Sequence, residues 1–190
     1  TVANKKHHKD VRILLPVNLR SFFKSDSLRN FVLFVIAGVD VRLGDYSLDE
    51  LCEIVYHQLK LELTEKEMQK RISVNVNMEQ KAYLKVVPLF IKNLAMKAAF
   101  NLLSENKSCF SFSNLGVVKA PEKMKEYVKG MDFILGVQAR APYNVGVLTY
   151  NGRMYMNFIR NIKEPLLEQR FYEVLHSVGI HVLLQSNCRD

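Results

Sequence analysis

Phe110-Ser-Phe-Ser-Asn-Leu-Gly116 brings a hydroxyl, an amide and a glycine together where an apolar stretch ends. The plainer reading is a strand-to-turn transition, in which Ser113 and Asn114 cap the chain and Gly116 takes a positive φ. On spacing alone the turn is favoured. The histidines offer less: His7 and His8 fall in the opening segment, His57 mid-helix, His176 near a helix end and His181 at the start of a terminal strand. There is no HExxH, GxSxG or glycine-rich phosphate loop. His7-His8 lacks further ligands at fixed spacing, so it is read as solvated and no metal site is assigned. Cys109 is read inside a strand with no neighbouring His, hence as a small buried hydrophobe rather than a nucleophile.

These residues sit in a chain of 190, with 48% hydrophobic and 24% charged residues, a composition that suits one folded domain and excludes disorder. The longest apolar run, Phe31 to Val39, is nine residues, against the roughly 20 that span a bilayer. No membrane span is expected. Cys52, Cys109 and Cys188 are odd in number and widely spaced, without CxxC, which argues against a disulfide framework or a zinc site and for a reducing cytoplasm. The net charge of +8 is scattered, dense only at Lys5, Lys6, Lys9 and Arg12. With no nucleic-acid motif beside it, that charge points to solvated surface or an anionic small molecule, not to nucleic acid. The chain opens on Thr1, has no signal-peptide core, and is expected to be a fragment with a flexible segment 1–10 and a single domain over 11–190.

The elements follow from pattern. Val11 to Val17 reads as a strand in which Pro16, lacking an N–H, ends the ladder, and Phe31 to Asp40 as a buried strand. Ser47-Leu-Asp-Glu50 is a capping box opening a helix with Leu51, Ile54, Val55 and Leu59 on one face. Thr64-Glu-Lys-Glu67 opens a second through about Arg71, after which helix and strand compete over Ile72, Val74 and Val76. Residues 86–103 are apolar in nearly every direction, the mark of a sandwiched helix, with Pro88 near its start. Strands are expected over Ser108 to Ser113, Met131 to Val137, Tyr143 to Tyr150, Arg153 to Ile159 and Ile180 to Gln185. Asn151-Gly152 makes a tight hairpin turn, Pro121 to Lys129 is a short helix, and a last helix opens at Glu164-Pro165 and stops at Gly179. The sum is a layered α/β or α+β domain on a mixed sheet.

Four segments together resemble one superfamily: Pro16-Val-Asn-Leu-Arg20, Leu28-Arg-Asn-Phe31, Phe112-Ser-Asn-Leu-Gly116 and Asn144-Val-Gly-Val-Leu-Thr-Tyr-Asn-Gly152. From about Val11 to Asn187 the chain resembles the C-terminal half of two-domain enzymes with the chloramphenicol acetyltransferase-like fold. Alcohol acetyltransferases, wax ester synthases and the condensation domains of nonribosomal peptide synthesis belong there, and the bacterial alcohol acetyltransferase-like branch is the most similar. The resemblance implies acyl transfer from an acyl-CoA or other thioester to an alcohol or amine, with acyl-CoA as co-substrate and no tightly bound cofactor. The chemistry is carried there by an HHxxxDG motif whose second His is the general base. His7-His8-Lys9-Asp10 has the wrong spacing, so the base is expected in a missing N-terminal half, and this polypeptide alone is expected to be inactive.

By the same resemblance Ser113 is the oxyanion donor, facing the His of that other half. The place of the motif itself reads Ile159-Arg-Asn-Ile-Lys-Glu-Pro165, so Arg160 stands for the His and Glu164 for the Asp of a degenerate second copy. An Arg remains protonated and cannot be the base. Without the resemblance, Arg160 and Glu164 read as an ion pair at the helix start. Arg20 or Arg29, with Asn30 beside it, is expected to pair with a carboxylate and hold a loop along the channel. The implied partners are the other half of the same protein, a small-molecule acyl acceptor, and a second copy covering any exposed apolar face. The rival reading is a noncatalytic binding or scaffold module of the same fold.

Overall fold

A computed structural model describes residues 10–80, 88–94, 97, 109–137 and 141–187. Strands β1 (Val11–Asn18), β2 (Val32–Val39), β3 (Phe110–Val117), β4 (Tyr143–Tyr150) and β5 (Arg153–Arg160) form one sheet in the order β2-β1-β3-β4-β5. β1, β3 and β4 run parallel, and β2 and β5 lie antiparallel at the two edges. Helices α1 (Leu48–Glu62), α2 (Glu65–Gln80) and α3 (Leu166–Ser177) join them, and residues 89–94 are helical as well. The expected α/β domain on a mixed sheet is what forms.

Side chains alternate across a strand, so the pairing register decides which residues share a face. Leu15↔Val35 and Val17↔Leu33 face α1 and α2. There Val35 and Met68 are fully buried with Leu19, among Leu59, Leu63 and Ile72. Phe158 of β5 shares that face and meets Phe171 of α3, ring centroids 5.4 Å apart. The opposite face carries Ser111, Ser113, Asn144, Gly146, Leu148 and Tyr150. Leu148 and Tyr150 pack there with Ala120, Val118, Val128, Met131 and Phe133.

Several local signals act as their chemistry dictates. Ser47 Oγ accepts from the Glu50 N–H at 3.2 Å while Glu50 Oε2 accepts from the Ser47 N–H at 2.7 Å, closing the capping box. Asn151 and Gly152 take φ of 48° and 75°, the left-handed pair of a two-residue hairpin. Gly179, at φ 80°, ends α3. Pro16 does not end β1, which continues to Asn18 against β2. Its missing N–H faces the other way: the Arg12 carbonyl, on the same side, accepts from the Cys109 N–H towards β3. Accordingly the β1–β3 ladder stops at Leu14↔Ser111.

Other expectations are corrected. Met131 to Val137 is an irregular segment, not a strand, because it crosses the face of β4 and β5 and is held by side chains instead of a ladder. The Phe133 N–H donates to Asn157 Oδ1 at 3.0 Å, and Asn144 Nδ2 donates to the Gly136 carbonyl at 2.9 Å. A Cβ on Gly146 would lie 2.0 Å from the Phe133 carbonyl oxygen, so only glycine admits this crossing. Ile180 to Gln185 forms no strand, and Leu183 is 84% exposed. α2 passes Arg71 and reaches Gln80, since Ile72 follows Met68 by one turn onto the same core and no Pro or Gly interrupts it. Pro121 to Lys129 contributes one 3₁₀ turn, Glu122–Met124. In the segment expected to be sandwiched, Leu89, Phe90, Ile91 and Leu94 are exposed; residues 86–87, 95–96 and 98–103, with His7, His8 and Cys188, lie outside the described residues.

Candidate functional site

Parallel β1, β3 and β4 fix a common direction, and eight-residue strands rise about 23 Å from end to end. Arg20, Arg29, Asn30, Asn114 and Gly116 belong to the end where β1 and β3 finish, whereas Arg160 and Glu164 lie beyond the opposite end, beside the start of β4. Ser113 is in the middle of β3. It shares the face of its cross-strand partner Gly146, while Arg160, paired with Tyr143, is on the helix face. The residues singled out in sequence therefore form two groups.

Ser113 is half-buried, and its hydroxyl makes no hydrogen bond among the described residues. On the β1 side of Ser113 the ladder has already ended, for lack of a Pro16 N–H. On the β4 side Gly146 has no side chain, and the Phe133 backbone crosses closely over it. Asn114 is engaged locally: its Oδ1 accepts from the Gly116 N–H at 2.8 Å, and Gly116 has φ 72°. The register of β3 on β4 shifts between Asn114 and Val117, so these two residues build a bulge that re-aims the strand end.

The loop between β1 and β2 is held by Arg20, though not through a carboxylate. Its Nη2 donates to the carbonyls of Ser27 at 2.5 Å and Arg29 at 2.6 Å, with the guanidinium over the Phe31 ring, 6.0 Å from its centroid. A guanidinium has enough donors to bind two carbonyls at once, which makes an acidic partner unnecessary. Asn18 starts the turn by accepting from the Arg20 N–H at 3.1 Å. Arg29 and Asn30 are exposed; their side chains make no hydrogen bond or ion pair among the described residues.

At the other end, Arg160 pairs with Glu168, not Glu164: Nη1 donates to Glu168 Oε1 at 2.7 Å and Nε to the Ile162 carbonyl at 3.1 Å. Both side chains are about one-fifth exposed. Glu164 precedes α3 and its carboxylate points to solvent, while its carbonyl accepts from the Tyr143 hydroxyl at 3.0 Å. Glu168 stands one turn further in, where α3 meets the sheet. Its Oε2 is buried without a hydrogen bond, as is Oδ1 of the 2% exposed Asn144. Cys109 is exposed and precedes β3, rather than lying buried within it.

Sequence reasoning assigned no role to Asn144 and Gly146, which it met only within a matched segment, and passed over Asn157 and Glu168. The first three carried a signal, since Asn and Gly are depleted in strand interiors and mark special backbone or side-chain duties there. Glu168 carried none beyond helical spacing. Among the described residues no group of three or more His, Cys, Asp or Glu is arranged to hold a metal ion, and no helix is long and apolar enough to cross a membrane. The histidines His57 and His176 lie on α1 and α3, across the sheet from Ser113. An open depression of about 450 Å³ lies at the β2 edge, lined by Asp10, Arg12, Gly38, Asp40, Gln58 and Glu62 among others; its arginine already faces Asp10, and Asp40 is taken by Arg42. No family model matches the chain, and no curated protein or solved structure matches it.

Proposed function

We propose that this chain supplies one wall of an acyl-transfer site of the chloramphenicol acetyltransferase-like kind, with Ser113 donating to the oxyanion. The base is a histidine from outside the described residues. It takes the proton of an alcohol or amine, whose oxygen or nitrogen attacks the thioester carbonyl of an acyl-CoA. The carbonyl oxygen becomes an oxyanion, stabilised by the Ser113 hydroxyl. On collapse the C–S bond breaks, the acyl group stays on the acceptor, and the histidine returns its proton to the CoA sulfur.

The observation that carries this reading is the unengaged, half-buried Ser113 hydroxyl at the place where Pro16 parts β1 from β3. The separation of Ser113 from Arg160 supports it too, because a serine that faces the base of another half has no need of its own. Arg20 and Arg29 at the adjoining strand ends suit the anionic CoA. The pairing of Arg160 with Glu168 leaves the place of the motif without a base, which supports a second reading, a module that binds the thioester and performs no chemistry.

Thiol release from acetyl-CoA, with alcohol and amine acceptors, separates the two. The chain alone should show no turnover, and addition of a complementary domain bearing HHxxxDG should restore it. Ser113→Ala in the restored enzyme should lower turnover about 10²- to 10³-fold. Unchanged turnover in that variant removes Ser113 from the chemistry. Acyl-CoA binding without transfer to any acceptor leaves the module.

A further inference from the structure

A two-residue hairpin makes Tyr150 and Arg153 a hydrogen-bonded pair, so the odd residues of β5 bond to β4 and the even ones point outward. The Asn161 N–H, donating to the Pro142 carbonyl at 3.1 Å, continues the same alternation. The backbone groups of Met154, Met156 and Phe158 thus face away from β4 along an edge where no described residue takes them. The same chain carries a second unpaired stretch. Residues 181–185 are strand-like in sequence, follow α3, and have no backbone hydrogen bond among the described residues. Val182, Leu183 and Leu184 are exposed.

We infer that residues 181–185 of one copy pair with the β5 edge of a second copy, adding a sixth strand to its sheet. The five residues of the tail match the five from Met154 to Phe158 in length. Both stretches are mostly apolar, and the tail has no Lys or Arg between residues 180 and 185. In one copy the edge and the tail are both unpaired among the described residues; exchange between two copies satisfies both, in the manner of strand addition and of domain swapping. The inference does not depend on acyl transfer.

Sedimentation equilibrium of the full chain and two variants tests it. A chain ending at Gly179 lacks the tail. Met156→Pro removes an outward N–H while leaving the β4 ladder intact. The full chain should self-associate, and each variant should weaken that association at least about 100-fold, from the loss of several backbone hydrogen bonds per strand. Mixed together, the variants should form a 1:1 complex, since one offers the edge and the other the tail. A full chain that is monomeric at about 0.1 mM, with its tail free or folded onto its own β5, overturns the inference. So does self-association unaltered by truncation, a change that leaves all five strands untouched and thus decides the matter even if Met156→Pro misfolds.

Discussion

Along β2 the outward carbonyl of Phe34 accepts from Arg71 of α2 at 3.0 Å, and Gly38 is bound from both sides by the Gln58 amide of α1, N–H and C=O each at 2.8 Å. Along β5 the corresponding groups of Met154, Met156 and Phe158 have no described partner. The two edges belong to one sheet and have the same strand length, yet one is capped at Phe34 and Gly38 by helix side chains and the other has no such cap among the described residues. Edge strands are templates for further pairing unless they are covered. The difference therefore divides the molecule: the β1–β2 side is sealed and packed on two helices, and the β4–β5 side, with α3 and an irregular segment, is where an additional strand can join.

The largest way to break this contrast is to empty the sealed side. Met68→Ala removes the fully buried side chain between α2 and β2 and should cost about 2–5 kcal/mol, read from urea unfolding. A cost below about 1 kcal/mol would mean that this core collapses easily and does not secure the β2 edge.

On the other side, Gly146→Ala drives a Cβ into the Phe133 carbonyl and should cost about 1–3 kcal/mol. Faster proteolysis within residues 118–137 should accompany it. A variant as resistant to proteolysis as the parent would show that the segment is not held by this approach.

Gln58→Ala brings the β2 edge nearer to the β5 edge, leaving only the Arg71 bond to Phe34. Losing two hydrogen bonds should cost about 1–3 kcal/mol, and light scattering should report new association through the freed β2 edge. If stability and scattering are unaltered, the amide does not cap that edge.

The smallest effect is in the pH dependence. Asp40, at the end of β2, is lowered from 3.8 to about 2, chiefly by its side-chain hydrogen bond from Arg42 and then by the Arg42 backbone N–H. A depressed carboxylate contributes stability above its unfolded value, so this contribution is present above pH 4 and lost as pH falls towards 2. Both groups are exposed, which keeps the effect small. Melting curves of the parent and Asp40→Asn should differ at pH 5 and converge near pH 2. A constant difference across that range would assign the stabilisation to some other group.

Elements whose signals act within a few residues were legible in the sequence. Ser47 and Glu50 closed their own capping box, Asn151-Gly152 made its turn, and Gly179 stopped α3, because each needs only its own backbone and near neighbours. Met131 to Val137 and Ile180 to Gln185 have strand-like composition, but a strand exists only when an edge lies beside it. The first meets the face of the sheet and the second meets nothing described. At the candidate site the turn at Asn114 and Gly116 was legible, and so was the interest of Ser113. The partner of Arg160 was not, since Glu164 and Glu168 stand one helical turn apart and only the approach of α3 to β5 selects between them.

The sequence by itself determined the five strands of the sheet, the starts of the helices, the hairpin turn and the residue types available for chemistry, since propensity, capping and periodicity are local. Tertiary structure decided what those residues are near. It turned the missing N–H of Pro16 towards β3, set Gly146 opposite Ser113, and placed Arg160 on the other face of the sheet. It also closed one edge with Gln58 and Arg71 and left the other open. Pairing register and sheet order depend on the whole chain packing at once, so a one-residue shift would move each of these side chains to the opposite face.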